Sequence, residues 1–373
     1  MSFPLVDLKA QYRSIESEID TAIRGVLESA RFIGGPEVSR FEAEFAQYCQ
    51  TQYCVGLSSG TAALSLALEA CGISDGDEVI TSTHTFVATV EAIAKLGAKP
   101  VLVDVDPATY TIDTKQALKA ITGRTKAILP VHLYGHPADL DPIMDICHRY
   151  GLLLIEDAAQ AHGALYKGQR VGSFGHVACF SFYPGKNLGA YGDAGAIVTN
   201  DAGLAAKVAM LADHGRARGS KYEHAVVGYN HRLDALQAAV LRAKLPHLDN
   251  WNERRRAIAA RYSEMLAEAA VVTPRAATWA VPVYHLYVVQ VMPGQRAKIQ
   301  QALNDADIAT GIHYPLPVHL QPAFAGLRYR LGDMPVAERL ASSVLSLPMY
   351  PELRDSDVEF IANHFIAAVG SSE

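Results

Sequence analysis

The chain has 373 residues, long enough for two domains or for one large domain with a smaller appendage. Half of its residues are apolar and 19% are charged, which favours a soluble globular protein, and the net charge of −6 with a pI near 6.2 argues against a nucleic-acid partner. No apolar run reaches the ~20 residues that span a bilayer, and the first residues lack the pattern of a signal peptide. We therefore expect a cytoplasmic protein with no membrane partner.

The cysteine and histidine pattern predicts neither disulfides nor a metal site. His132 and His136 are four residues apart, but Gly135 and Pro137 make that segment a loop, whereas the usual zinc motif needs a helical pair. The cysteines form an odd set without Cys-x-x-Cys spacing, in surroundings typical of reduced core residues: Cys49, Cys54, Cys71, Cys147 and Cys179.

The N-terminal part of the chain begins with two predicted helices, over residues 14–28 and 37–50. A strand over residues 54–57 then leads through a loop of small residues, 58–61, into an Ala- and Leu-rich helix over residues 62–70. Small residues at a helix start leave backbone N–H groups free to bind an anion. An ordinary capped helix is the alternative interpretation.

Alternating strands and helices follow, and they predict an α/β fold with a mostly parallel sheet covered on both faces. Apolar or β-rich runs occur at residues 78–81, 99–103, 126–131 and 152–155, with helical patterns between several of them. In open sheets of this kind, ligands bind beyond the carboxyl ends of the strands. Three features occupy that end: the loop over residues 58–61, the run over residues 156–160 and the loop that carries Lys186.

Beyond residue 201 the pattern becomes helical, and the composition shifts again after Pro274 to strands over residues 283–291, a helix and a loop rich in Pro and His. We predict a large domain over residues 1–250 and a smaller C-terminal α+β domain over residues 251–373. The helix at the boundary carries a row of arginines, interpreted as a solvated face with phosphate binding as the alternative: Arg254, Arg255, Arg256 and Arg261.

Lys186 stands between two chain-breaking turns. A β-rich run over residues 176–182 feeds into Pro184-Gly185, and a Gly-rich turn over residues 191–195 follows the lysine. Most lysines are solvated, but one held by backbone geometry can face an interior pocket, where its amine is neutral and nucleophilic.

Lys186, the acid Asp157 at a strand end and the helix start near Gly60 form the set that pyridoxal phosphate (PLP) requires. The cofactor's aldehyde needs an amine, its ring nitrogen needs a carboxylate, and its phosphate needs N–H groups and hydroxyls at a helix N-terminus. A Rossmann dinucleotide site is the rival interpretation, but no Gly-x-Gly-x-x-Gly opens the first helix of the sheet region.

A series of motifs resembles the DegT/DnrJ/StrS sugar aminotransferases, which are fold-type-I PLP enzymes. The resemblance runs from Asp7-Leu8 to His313-Tyr314-Pro315 and covers nearly the whole chain. Its motifs, in chain order, are Ser58-Ser59-Gly60-Thr61, Glu156-Asp157-Ala158-Ala159-Gln160-Ala161-His162-Gly163, Ser181-Phe182 with Lys186, Gly192-Asp193-Ala194-Gly195 and Gly228-Tyr229-Asn230.

The resemblance implies a role for each matching residue. Lys186 would form the Schiff base with PLP and then act as acid and base, and Asp157 would pair with the pyridine nitrogen. The remaining cofactor contacts implied are Gln160 near the ring hydroxyl or Asp157, Gly60, Thr61 and Ser181 at the phosphate, Phe86 on one ring face with Ala159 below, and Asn230 from the second subunit of a homodimer.

The turn at residues 192–195 and the segments 221–223, 228–234 and 311–321 resemble the branch that acts on 3-keto nucleotide sugars. This resemblance implies transfer of an amino group from L-glutamate to a hexose linked to dTDP or UDP. A 4-keto sugar, a ketocyclitol and a non-catalytic regulator on the same fold are the alternatives. Lys186 argues against a dehydrating offshoot that has histidine at this position. The substrate contacts implied are Tyr183, Lys221, Tyr222, His313 and Tyr314.

Structural roles are the alternative for several of these residues. Phe86 could be a core residue, since aromatic side chains usually are, and Ser181 could simply end a strand. Asn230 could be a turn residue, and the His313-Tyr314 segment could be a packed turn.

Overall fold

The computed structural model describes residues 2–217 and 219–370. Its α-helices are α1 Leu8–Ser14, α2 Glu16–Ser29, α3 Pro36–Tyr48, α4 Gly60–Ala70, α5 Val87–Lys95, α6 Thr114–Lys119, α7 Leu140–Tyr150, α8 Ala202–Ala212, α9 Ala235–Lys244, α10 Leu248–Met265, α11 Arg296–Asp305, α12 Pro335–Ser343 and α13 Asp355–Gly370. Its strands are β1 Tyr53–Leu57, β2 Glu78–Ser82, β3 Lys99–Val103, β4 Thr125–Leu129, β5 Leu153–Asp157, β6 Leu165–Tyr166, β7 Gln169–Arg170, β8 Val177–Ser181, β9 Gly195–Thr199, β10 Ala280–Val281, β11 Tyr287–Gln290 and β12 Val344–Leu347.

A seven-stranded sheet with the order β1-β9-β8-β5-β4-β2-β3 forms the centre of the molecule. Strands β2 to β5 and β8 pair in parallel, whereas β9 runs antiparallel to both of its neighbours. Helices α4, α5 and α8 share one hydrophobic cluster with the strands, and α3 and α9 share a second. Helices on both faces explain why the strands are continuously apolar, and the predicted α/β fold class is confirmed.

The C-terminal part of the chain has a hydrophobic cluster of its own, formed by α10, α11, α13 and the two-stranded sheet of β11 and β12. Helix α10 begins at Leu248 in the core of the large sheet and reaches this second cluster at Ile258. Phe3 joins the second cluster as well, so the first residues of the chain pack with its last part. The division near residue 250 stays a prediction.

Most predicted elements agree with the structure to within about two residues, but two expectations fail. The predicted strand over residues 283–291 is only Tyr287–Gln290. The solvated arginine face is wrong for Arg255, which is 2% exposed. Its Nη1 donates to the carbonyls of Tyr284, His285 and Met349, and these bonds compensate for the burial of the charge.

Among the described residues no helix combines the length and apolarity needed to cross a membrane.

Glu156 forms hydrogen bonds that hold the end of β5 in place, on the face of the sheet opposite to the one that carries Asp157. The fully buried carboxylate accepts hydrogen bonds from the backbone N–H groups of Gly172, Phe174 and Gly175 at 2.7–3.1 Å and lies 2.9 Å from His132 Nε2. Because His132 Nδ1 accepts the N–H of Ala138, the imidazole donates to Glu156 through Nε2. Burial raises the pKa of Glu156, but these donors outweigh it and hold the pKa below its ordinary value.

We predict that Glu156→Gln destabilises the protein by about 3 kcal/mol, because an amide group replaces one acceptor oxygen where several N–H donors converge. The midpoint of urea unfolding at neutral pH measures the loss. Since the folded-state pKa of Glu156 is depressed, its contribution is present above its unfolded pKa and fades as the pH falls. Glu253→Gln, at an exposed side chain paired with Arg256, is the matched control. An unchanged midpoint for Glu156→Gln would refute this role.

Candidate functional site

The carboxyl ends of the parallel strands open into a cavity of about 590 Å³. Parallel strands place their carboxyl ends at one edge of a sheet, so loops far apart in sequence meet there. The residues lining the cavity are Leu5, Val6, Ser59, Gly60, Thr61, Leu64, Thr85, Phe86, Ala88, Thr89, Val131, Asp157, Ala159, Gln160, Ser181, Tyr183, Gly185, Lys186, Asp193, His285, Leu286, His313 and Tyr314.

Lys186 enters the cavity on the loop between β8 and β9. The loop is closed by backbone hydrogen bonds, from Phe182 N–H to the Ala194 carbonyl and from Ala190 N–H to the Phe182 carbonyl, both 2.8 Å. Gly189 is required there, since an added Cβ would lie 2.2 Å from the Pro184 carbonyl oxygen. Burial lowers the pKa of Lys186 to about 8, with Asp157 acting in the opposite direction. The amine therefore loses its proton far more readily near neutral pH than an ordinary lysine, and its neutral form is nucleophilic.

Asp157 is the last residue of β5 and is 4% exposed. Its Oδ2 accepts the Thr89 hydroxyl at 2.8 Å, and its Oδ1 accepts the Ala159 N–H at 3.2 Å. Burial raises the pKa of Asp157, while these two hydrogen bonds and the charge of Lys186 act to lower it. The carboxylate is fixed in orientation and faces the cavity, so it can pair with a protonated ring nitrogen.

The N-terminus of α4 forms one wall of the cavity. Ser59 caps the helix by accepting the Ala62 N–H at 3.1 Å, which leaves the earlier N–H groups of Gly60 and Thr61 for an external acceptor. Gly60 packs directly on Ser181, since an added Cβ would lie 2.5 Å from the Ser181 Cβ. This close approach of small residues produces a cradle for an anion.

Gln160 and Phe86 also line the cavity. The Gln160 side chain accepts the Tyr134 N–H at 2.7 Å and donates to the Tyr314 hydroxyl at 3.1 Å. Phe86 precedes α5 and is 52% exposed, with its ring centroid 5.9 Å from that of Tyr314. The exposed ring at the cavity argues against the alternative in which Phe86 is a core residue.

Three predicted site residues lie outside this cavity. Lys221 and Tyr222 are on an exposed loop, with Tyr222 82% exposed and the Lys221 amine 5.4 Å from its ring centroid. Asn230 forms a backbone bridge with Asp213. One chain therefore brings together Lys186, Asp157, Gly60, Thr61, Phe86, Gln160, Ser181, Tyr183, His313 and Tyr314.

Thr85, Thr89 and His285 line the cavity without a motif that identifies them. The two threonine hydroxyls are 2.9 Å apart, and a spacing of four residues is typical of one helix face but points to no ligand. His285 contacts the lysine loop through its Nδ1, 3.2 Å from Asn187 Oδ1. Nothing in the sequence around His285 places it beside a loop 98 residues earlier.

The donors around the cavity fit PLP. A buried amine, a buried carboxylate with a fixed orientation, and an anion cradle at a helix N-terminus surround one space, as the cofactor's aldehyde, ring nitrogen and phosphate demand.

Comparison with known proteins identifies the family that the sequence motifs resemble. The sequence profile of the DegT/DnrJ/EryC1/StrS aminotransferase family matches residues 13–366. A dTDP-3-amino-3,4,6-trideoxy-alpha-D-glucose transaminase from Streptomyces venezuelae is 50% identical over 351 residues, covering 94% of this chain and 92% of the relative. A protein from Geobacillus stearothermophilus named "Pleiotropic regulatory protein" is 48% identical over 364 residues, covering 97% of each chain.

Among solved structures, the crystal structure of S. venezuelae DesV in complex with a ketimine intermediate superposes with a TM-score of 0.95. The two sequences are 47% identical, and the match covers 100% of this chain and 99% of DesV. The chain belongs to the DegT/DnrJ/EryC1/StrS aminotransferase family.

Proposed function

We propose that this protein is a PLP-dependent aminotransferase that transfers an amino group from L-glutamate to the 3-keto group of a hexose linked to dTDP or UDP. The observation that carries the proposal is the meeting of the Lys186 amine and the oriented Asp157 carboxylate in one cavity, beside the free N-terminus of α4. Family membership and the 3-amino-sugar transaminase relative support the reaction and its position on the sugar.

PLP supplies a carbonyl that condenses with amines and a ring that withdraws electrons from the attached carbon. The Lys186 amine would hold the cofactor. The same amine, in the cavity, is placed to move a proton to and from the donor's α-carbon. A pKa of about 8 suits both tasks, because the amine can gain or lose a proton near neutral pH.

Asp157 would keep a proton on the cofactor's ring nitrogen, and Thr89 holds the Asp157 carboxylate in one orientation. Gly60, Thr61 and Ser181 would bind the phosphate. Phe86 would cover one face of the ring with Ala159 below, and Gln160 would contact the ring hydroxyl or Asp157.

The sugar nucleotide enters between Tyr183, His313 and Tyr314 of one subunit and the Lys221, Tyr222 loop of another. Tyr183 is 60% exposed, in agreement with a position at the mouth of the cavity. Asn230 would reach the phosphate of the neighbouring subunit's cofactor, and the proposed working unit is a homodimer. The proposed domains are residues 1–250 and 251–373, and the free thiols of the five described cysteines support a cytoplasmic location.

The regulatory name of one relative favours a second candidate, a non-catalytic regulator that binds the cofactor and responds to a ligand. Such a protein would hold the cofactor with the same Lys186 and Asp157, so these two residues do not separate the candidates. The aminotransferase family profile and the 3-amino-sugar transaminase relative favour catalysis.

A panel of 3-keto and 4-keto nucleotide sugars and a ketocyclitol tests the proposed reaction, with glutamate as donor and the product mass as the measurement. We expect the 3-keto nucleotide sugar to be converted to its amine. We expect Lys186→Ala to lower the turnover of this substrate by about 1000-fold. Borohydride reduction is expected to fix the cofactor on the peptide that contains Lys186. Lys167→Ala, at an exposed lysine paired with Asp141, is the control. Cofactor binding without amine transfer to any acceptor would favour the regulator.

Thr89→Val tests whether the ionised form of Asp157 is needed. The lost hydroxyl favoured the ionised form, so its removal raises the pKa of Asp157. The acidic limb of the kcat/KM profile is therefore expected to move to higher pH, with activity about fivefold lower at a fixed pH on that limb. Thr21→Val, at an exposed helical threonine, is the control. A uniform fall at every pH would contradict this role.

Co-expression of two inactive variants tests the shared site. In the proposed dimer each site takes Lys186 from one chain and Asn230 from the other, so a mixed dimer of Lys186→Ala and Asn230→Asp contains one intact site. Random pairing makes about half of the dimers mixed, and a one-to-one mixture is therefore expected to show about a quarter of full activity. Lys186→Ala with Asp157→Asn is the matched control, because each residue serves the site of its own chain and both sites of a mixed dimer stay defective. Equal activity of the two mixtures would show that Asn230 acts within its own chain.

A further inference from the structure

The His313-Tyr314 segment crosses from the C-terminal part of the chain to the cavity and is held there by side chains from the large sheet. The Tyr134 hydroxyl donates to the His313 carbonyl, and Gln160 donates to the Tyr314 hydroxyl at 3.1 Å. Gln160 is in turn fixed by the Tyr134 N–H at 2.7 Å. Tyr134 therefore bonds to this segment directly through its hydroxyl and indirectly through Gln160.

Tyr134 is well placed to act as a rigid support. It lies in the short 3-10 turn Leu133–Gly135 after β4, with φ of 58°, and its side chain is buried. Its ring is edge-on to the rings of Tyr110 and His84, with centroids 5.9 and 6.1 Å away. The next residue must be glycine, since φ is +91° and an added Cβ would lie 2.8 Å from Val283 Cγ2.

His84 fixes the direction of the Tyr134 hydroxyl. A carbonyl oxygen only accepts, so the single hydroxyl proton of Tyr134 goes to His313. The His84 Nε2, 2.8 Å from that hydroxyl, must then carry a proton and donate it. Burial lowers the pKa of His84 to about 4, and its Nδ1 has no partner among the described residues, so the imidazole is neutral with its one proton on Nε2.

We propose that Tyr134, oriented by His84, is a positioning residue that sets the His313-Tyr314 segment for the keto sugar. The inference rests on the proposed function, in which this segment contacts the sugar. Neither Tyr134 nor His84 lines the cavity, so both act through the segment. Both substrates react beside Lys186, but in the proposed function only the keto sugar contacts this segment. Loss of the Tyr134 hydroxyl therefore weakens sugar binding and spares the donor half-reaction.

Tyr134→Phe removes only the hydroxyl and tests the proposal. We expect the KM for the keto sugar to rise about fivefold, from the loss of one hydrogen bond. We expect kcat and the rate of the glutamate half-reaction, followed by the change in cofactor absorbance, to stay within about twofold. Tyr150→Phe, at an exposed tyrosine at the end of α7, is the matched control.

Amide hydrogen exchange gives a second readout that needs no substrate. The peptide covering residues 308–317 is expected to exchange faster in Tyr134→Phe than in the wild-type holoenzyme, while peptides of β5 and α4 stay unchanged. His84→Ala leaves the hydroxyl without its donor and should move both readouts in the same direction, which keeps the test informative if Tyr134→Phe folds poorly. An unchanged sugar KM with unchanged exchange would overturn the proposal, as would an equal loss in the glutamate half-reaction. Absence of sugar turnover in the wild type would refute the proposed function instead, leaving exchange to decide whether Tyr134 holds the segment.

Discussion

The burial of the Asp157 carboxylate at the end of β5 is the constraint on which the rest of the site depends. A carboxylate inside a protein is tolerated only when hydrogen bonds and opposite charge compensate for lost water. Thr89 and Ala159 supply the hydrogen bonds, and Lys186 supplies the charge. The three groups come from α5, from the turn after β5 and from the loop after β8. The acid is therefore stable only in a sheet that has brought all three elements together.

Glu156 and Asp157 divide two tasks between neighbouring positions of one strand. Successive side chains of a strand point to opposite faces, so Glu156 fastens His132 and the turn at residues 172–175 while Asp157 faces the cavity. The strand end is thus fixed on one face and available for chemistry on the other. A catalytic carboxylate needs such support, because its usefulness depends on an orientation that does not relax.

How much of this could be predicted from the sequence depends on how local each signal is. Lys186, Asp157 and Gly60 each stand at a turn or strand end that short-range patterns reveal, and the mostly parallel sheet follows from the alternation of strands with helices. Thr89 and Tyr134 carry no such signal, since their partners are 68 and 179 residues away. Arg255 was misinterpreted for the same reason: its sequence neighbours are polar, and only the fold brings backbone carbonyls to its guanidinium.

The charge of the cavity supports the proposal that two chains form the substrate site together. A sugar nucleotide brings a diphosphate with negative charge, yet the basic residues lining the described cavity are Lys186, His285 and His313. Lys186 is committed to the cofactor, and burial lowers the pKa of both histidines, to about 4 for His313, so neither is cationic at neutral pH. The chain's own cavity thus lacks a fixed positive charge for the diphosphate. The exposed Lys221 loop, which serves no purpose within its own cavity, supplies that charge if a second copy of the chain presents it across a two-fold axis. On this argument, the proposed homodimer would complete the electrostatics of substrate binding.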